Sequence, residues 1–245
     1  MAYISIIGGG SWGTALAQNL ASNNHEITIY VRDINLKNSI NQKHVNNKYF
    51  PEYELNKYIK ATTDIKNAVS KSNILFLCVP TYATREIMDY ISKYLKENHV
   101  IVSTAKGIEE KSFLRNSEII NNYHDKIAVL SGPTHSEEVI KFLPSAAVIA
   151  SRNNELAEMI KKIIMSKTFR IYTNNDIVGV ELAGAVKNII AIAAGIADGL
   201  GYGDNTRAAL ITRGLSEMQR LGTCMGGKPM TFSGLAGLGD LVVTC

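Results

Sequence analysis

Short, continuous apolar runs recur along the first two thirds of the chain. Tyr3–Ile7, Asn73–Val79, Val100–Ser103, Ala128–Leu130 and Ala146–Ala150 are rich in Ile, Val, Leu and Ala, and turn residues or polar residues bound them. Such runs predict strands, the one at Asn73–Val79 a buried one. Glu26–Val31 and Arg170–Thr173 read as further strands. Between the strands, Thr14–Ala21, Ala83–Leu95 and Glu155–Met165 repeat their apolar residues at helical spacing, and Asp64–Ser70 predicts a short helix. Residues 34–60 are polar and without clear period, Tyr49-Phe50-Pro51 being the one apolar knot, so an extended connection is expected there. Strands alternating with helices predict an α/β fold with a doubly wound, mostly parallel sheet. After Thr173 the strand pattern stops, and Asp176–Leu200 and Thr206–Leu221 both read as helices. The change of pattern divides the chain into residues 1–175 and an all-α part, residues 176–245.

The first of those helices is unusual. Between Ile177 and Ala197 its only charged side chains are Glu181 and Lys187. Apolar residues on every face predict a helix buried within the protein. A lysine in such a helix needs a partner or a purpose, because desolvation disfavours the charged form. Small residues one turn away, Ala183, Gly184 and Ala191, let another group approach it. Two other readings compete with a catalytic one. The run is just long enough to cross a bilayer, but Glu181, Lys187, Asn188 and three internal glycines, with no basic flank, weigh against it. A structural lysine that snorkels or pairs with a carboxylate stays open on this stretch alone.

Composition narrows the classes. With 46% hydrophobic and 20% charged residues, the chain suits a soluble globular protein. A net charge of +4, without a basic block, fits a small anionic ligand better than nucleic acid. Three cysteines without CxxC spacing indicate neither a disulfide framework nor zinc, and no pair of histidines has metal-ligand spacing. The start, MAYISIIGGG, lacks the basic and long apolar regions of a signal peptide, so a cytoplasmic location is expected.

The candidate chemistry begins where the first strand ends. Gly8, Gly10 and Gly13 stand as GxGxxG between a predicted strand and a predicted helix, the context that a dinucleotide-binding turn requires. This gives residues 1–175 a Rossmann-like reading. Arg32 and Asp33 follow the second strand, offering together the two side chains that favour NADP and NAD respectively. Lys106 follows the strand at Val100–Ser103, at the sheet edge where ligands bind in open parallel sheets. Asp240 is the only acid in the last 28 residues and sits among Gly234, Gly237 and Gly239. It reads as a ligand-facing carboxylate, as a helix N-cap before LVVT, or as both. His135, after Gly132-Pro133-Thr134, reads as packed or exposed rather than catalytic.

GGGSWGTALA (8–17), STAKG (103–107), SGPTHSEEV (131–139), ELAGAVKNIIAIAAG (181–195), NTRAALITRGLSEM (205–218) and SGLAGLGDLVVTC (233–245) occur in this order. Together they resemble bacterial NAD(P)-dependent glycerol-3-phosphate dehydrogenase along essentially the whole chain. The resemblance implies interconversion of dihydroxyacetone phosphate and sn-glycerol 3-phosphate with NAD(P)H, feeding glycerophospholipid synthesis. It implies Lys187 as proton acceptor and Lys106, Gly132, Thr134, Lys187 and Asp240 as substrate residues. Gly8, Gly10, Ser11, Trp12, Gly13, Arg32, Tyr49, Lys106 and Ser136 would bind the cofactor. It also implies a homodimer, while the residues themselves point to no metal, no nucleic-acid partner and no stable membrane insertion. Family members continue past the GLGDL motif into a Ser-Arg-Asn segment and further helices, so the expectation is of a truncated helical part that exposes apolar surface. Two alternatives follow: a β-hydroxyacid dehydrogenase, which also uses a helical-domain lysine, and a catalytically inactive NAD(P)-binding fragment.

Overall fold

The computed structural model of the chain describes residues 2–245. Strand β1 (Tyr3–Ile7) leads through helix α1 (Ser11–Ser22) to β2 (Glu26–Tyr30), and α2 (Ile34–Lys43) follows. A small hairpin, β3 (Val45–Asn46) and β4 (Phe50–Glu54), precedes β5 (Ile59–Thr62) and α3 (Ile65–Lys71). Next come β6 (Ile74–Leu77), α4 (Thr81–Ile91), β7 (Val100–Ser103), α5 (Asn116–Asn121) and β8 (Ile127–Ser131). The α/β portion ends with α6 (Ser136–Val139), β9 (Ser145–Ala150), α7 (Asn154–Ile164) and β10 (Phe169–Asn174). The remainder is helical: α8 (Ile177–Gly199), α9 (Gly203–Cys224), α10 (Pro229–Phe232), a π-helical turn at Leu235–Gly239, and α11 (Asp240–Thr244).

Eight strands form one sheet in the order β10-β9-β8-β7-β6-β1-β2-β5. Every pairing is parallel except β8 with β9. Strand order reverses beside β1, which pairs with β2 on one side and β6 on the other, and a crevice opens there at the carboxyl ends of the strands. Both faces of the sheet are covered. Ile4, Ile6, Leu16, Leu20, Ile27, Ile29 and Phe76 belong to one buried cluster, while Ile7, Leu75, Leu77, Met88 and Ile101 belong to another.

Residues 34–60 are more regular than their sequence suggests. The Asp33 carboxylate accepts from Asn35 N at 2.8 Å and starts α2, whose Leu36 and Ile40 are buried. Strand β5 extends the sheet as its edge, burying Ile59 and Ala61 and leaving Lys60 outside. Its alternation lasts only four residues and does not stand out from a polar background.

Because β9 runs against β8, β10 delivers the chain to the edge of the sheet opposite the crevice. Helix α8 then climbs back along β8. Its start, Ile177 and Val180, packs with Val129, Val148 and Ala150. Gly184 lies against Ser131 and Lys106 at the carboxyl ends of β8 and β7. A buried network fastens this climb. Glu181 accepts from Arg115 Nη1 at 2.6 Å, from Ser117 Oγ at 2.5 Å and from Ser117 N at 2.7 Å. Burial pushes the Glu181 carboxyl above the usual range, against the pull of Ser117 and Arg115.

Helix α8 is not buried all round. Ile189, Ile192, Ile196 and Leu200 form a stripe at helical spacing and are 59–67% exposed. The opposite stripe, Val180, Gly184 and Lys187, faces the sheet and the last helix. Half of the helix's most apolar stretch is buried against the rest of the chain.

His99 opens β7 from inside the protein. Its Nδ1 accepts from Lys96 N at 2.7 Å, and its Nε2 is buried without a partner. Burial holds its pKa below the ordinary 6.5. The folded state therefore binds fewer protons than the unfolded chain as pH falls through that value, and stability falls with it. The thermal midpoint should drop between about pH 7 and about pH 5, and His99→Gln should flatten that dependence. An equal slope in both proteins would remove His99 as its source.

Candidate active site

The crevice beside β1 is a cleft of ≈ 1230 Å³. One wall is the turn from Gly8 to Gly13, with Ser11 and Trp12; another carries Arg32, Asp33, Lys48 and Tyr49; a third carries Thr104, Ala105 and Lys106. The three glycines have distinct reasons. Gly8 has φ +119°, and a Cβ there would overlap the Cys78 carbonyl. A Cβ on Gly13 would overlap the Gly8 carbonyl, so α1 can pack onto β1 only with glycine at this position. A Cβ on Gly10 would meet no protein atom within 4 Å, because it would point into open space. That space adjoins the first turn of α1, whose free N–H groups and dipole favour a phosphate. The cradle therefore fits a dinucleotide pyrophosphate.

A cluster of three charged side chains lies next to the cleft. Lys187 Nζ donates to Asp240 Oδ1 and to Thr244 Oγ1, each at 2.7 Å. The Thr244 hydroxyl gives its own proton to the Asp240 carbonyl at 2.6 Å, so its lone pairs are turned toward Lys187. Lysine carries three N–H donors, and one remains for another group. Lys106 Nζ is 2.7 Å from Asp240 Oδ2 and donates to Gly132 O at 3.0 Å. The Lys106–Asp240 approach is an ion pair whose angle is not that of a hydrogen bond, so Oδ2 has no aligned donor. Asp240 is 1% exposed. Burial lowers the Lys106 ammonium below the ordinary lysine range; Asp240 opposes this and Lys187 adds to it. Lys106 therefore belongs both to the cleft wall and to the buried cluster.

Several sequence expectations change at this point. Lys187, for which pairing with a carboxylate stood open, receives both a carboxylate and a hydroxyl from α11. Asp240 is the first residue of α11 but not its cap: Gly239 holds the cap position, and the carboxylate serves the lysines. Gly132 (φ +138°) receives both Lys106 Nζ and, at 3.1 Å, the Thr134 hydroxyl. Ser136 is buried at the start of α6 and its hydroxyl bonds Glu137; like Gly132 and Thr134, it is not among the residues that line the cleft. His135 is exposed and contacts the Val243 carbonyl, outside the cluster. Thr244 was not legible as a site residue; its place four residues after Asp240, one helical turn away, is the available signal.

Comparisons with known proteins give matches along nearly the whole chain. The family model described as NAD-dependent glycerol-3-phosphate dehydrogenase N-terminus matches residues 3–157, and the corresponding C-terminus model matches residues 176–245. The chain is 68% identical over 243 residues to a glycerol-3-phosphate dehydrogenase (NAD(P)+) of Halothermothrix orenii, covering 99% of this chain and 71% of that one. It is 48% identical to the Bacillus subtilis protein of the same name, over 100% of this chain and 72% of that one. The crystal structure of glycerol-3-phosphate dehydrogenase from Coxiella burnetii superposes with a TM-score of 0.95 at 39% identity, covering 100% of this chain and 75% of that one.

Proposed function

The chain belongs to the NAD-dependent glycerol-3-phosphate dehydrogenase family, and on that premise we propose how its residues interconvert dihydroxyacetone phosphate and sn-glycerol 3-phosphate. It is an NAD(P)-dependent oxidoreductase whose product is the backbone of glycerophospholipids. We read residues 1–175 as the cofactor domain and 176–245 as the substrate and catalytic part; the two family models, which fall on either side of residue 175, support that division.

Gly8, Gly10, Ser11, Trp12 and Gly13 would hold the dinucleotide phosphates, with Arg32 and Tyr49 on the wall at the end of β2 and Lys106 at the reacting end. When bound, the cofactor supplies or takes up the hydride at substrate C2. In reduction, the Lys187 ammonium directs its free N–H to the C2 carbonyl oxygen and transfers the proton as that oxygen becomes a hydroxyl. In oxidation, the neutral amine removes that proton. Asp240 and Thr244 hold the nitrogen in place, so the proton transfer occurs without reorganising the lysine. Lys106 presents a fixed positive group to the substrate's negative oxygens. Gly132 and Thr134 shape the floor beneath it, and Ser136 supports that segment from the start of α6.

The observation that carries this reading is the shared lysine: one side of Lys106 lines the cleft and the other meets Asp240, which also holds Lys187. That assembly, within a resemblance spanning 99% of the chain, disfavours the inactive nucleotide-binding fragment. Oxidation of NAD(P)H by the purified chain on adding dihydroxyacetone phosphate tests it. Cofactor binding without oxidation, or turnover of a β-hydroxyacid instead, would overturn it. Gly10→Ala supplies a second test: it should weaken cofactor binding on the order of tenfold or more and leave the melting temperature unchanged, because the added methyl meets only the ligand. The reading also includes a homodimer in the cytoplasm, which sedimentation and cell fractionation would test.

A further inference from the structure

One aromatic ring on the cleft wall has no part in these roles. Tyr82 lines the cleft and is 82% exposed, more than any other large apolar side chain among the described residues. An uncovered aromatic ring beside a pocket is an open contact surface, because its face and edge suit stacking on a planar group.

The backbone beneath that ring is firmly fixed. Pro80 precedes α4, and Ala83 N donates to its carbonyl at 2.9 Å. Asn116, 1% exposed, donates to the Gly107 carbonyl at 3.0 Å and to Thr81 Oγ1 at 3.2 Å, and accepts from Thr84 Oγ1 at 2.7 Å. A Cβ on Gly107 would come within 2.6 Å of Thr81 Oγ1. The first turn of α4 is therefore bolted to the loop that carries Lys106. The backbone that carries the ring is held at a defined place beside the Lys106 loop, while the ring itself is unpacked.

We propose that Tyr82 is a cofactor-binding residue whose ring covers the nicotinamide-bearing half of the dinucleotide. This rests on the dehydrogenase reading and extends it. Tyr82 stands on the turn of α4 that is tied to the Lys106 loop, and Glu86 and Tyr90 follow on the same cleft wall one and two turns along the helix.

Calorimetric titration of the parent, Tyr82→Ala and Tyr82→Phe with NADH, NADPH and ADP tests the proposal, the tighter of the two full cofactors being used for comparison. Tyr82→Ala should weaken the full cofactor about tenfold, while Tyr82→Phe, which keeps the ring, should stay within about twofold. ADP, which lacks the nicotinamide half, should bind parent and Tyr82→Ala alike. Unchanged cofactor affinity in Tyr82→Ala would overturn the assignment. So would an equal loss of ADP affinity, which would mark damage to the cleft, or a loss in Tyr82→Phe matching that in Tyr82→Ala. A parent that binds neither NADH nor NADPH would instead remove the dehydrogenase reading, and the proposal with it.

Discussion

Lys187→Ala is expected to lower turnover on the order of 100- to 10,000-fold in both directions, with much smaller changes in KM. The size follows from geometry. Two of the three Lys187 N–H groups are committed to Asp240 and Thr244, and the third is the proton that Lys187 can direct at a carbonyl oxygen. Removing it leaves water to protonate the developing alkoxide. The fold should survive, because Asp240 keeps Lys106 as a counter-ion. Lys187→Arg separates charge from proton transfer: it restores a cation, but a guanidinium gives up its proton too reluctantly to act as acid and base. Partial recovery of Lys187→Ala by a small primary amine would support proton transfer at this position. Turnover within tenfold of the parent would exclude it.

Asp240→Ala should damage the protein more broadly. The carboxylate touches both ammonium groups at 2.7 Å and is almost wholly buried. Without it, two cations face each other in a partly desolvated place. Breaking a buried pair of this kind is expected to lower stability by about 3 kcal/mol, besides misplacing Lys187. The loss should depend on pH. Burial already lowers Lys106 below its ordinary 10.5, so its charged form fits the folded state less well than the unfolded chain. Raising the pH toward that value neutralises the group and removes the penalty. The gap in melting temperature between variant and parent should therefore narrow from about pH 7 to about pH 10. A constant gap would mean that the damage is one of packing rather than charge.

The sheet was legible because parallel strands buried on both faces are written as unbroken apolar runs, and β1, β6, β7, β8 and β9 each carry one. Lys106 and the glycine turn were legible for a related reason: ligands gather where such runs end. Strand β5 was not, because an edge strand needs only Ile59 and Ala61 on its inner side. A carboxylate partner for Lys187 was legible as a possibility; that Asp240, 53 residues away, meets it and that Thr244 joins it is recorded in no local pattern. Glu181 shows the same limit. As a lone acid in an apolar helix it argues only against a membrane span; in space it holds Arg115 and Ser117, more than sixty residues earlier. Nor does composition tell the covered face of α8 from the open one, for isoleucines occupy both.

The reversed pair β9 and β10 sets a further constraint on α8. The chain enters that helix at the far edge of the sheet, and once Glu181 is anchored the distance to the cleft is counted off in residues from Glu181 to Lys187. Each residue inserted or removed within that stretch would turn the lysine about 100° around the helix axis and shift it about 1.5 Å along it. Glu181, pinned to Arg115 and Ser117, sets the zero of this scale. Phase as well as residue identity thus decides whether Lys187 meets Asp240. A change in helix length could therefore disable the enzyme with every side chain of its site still present.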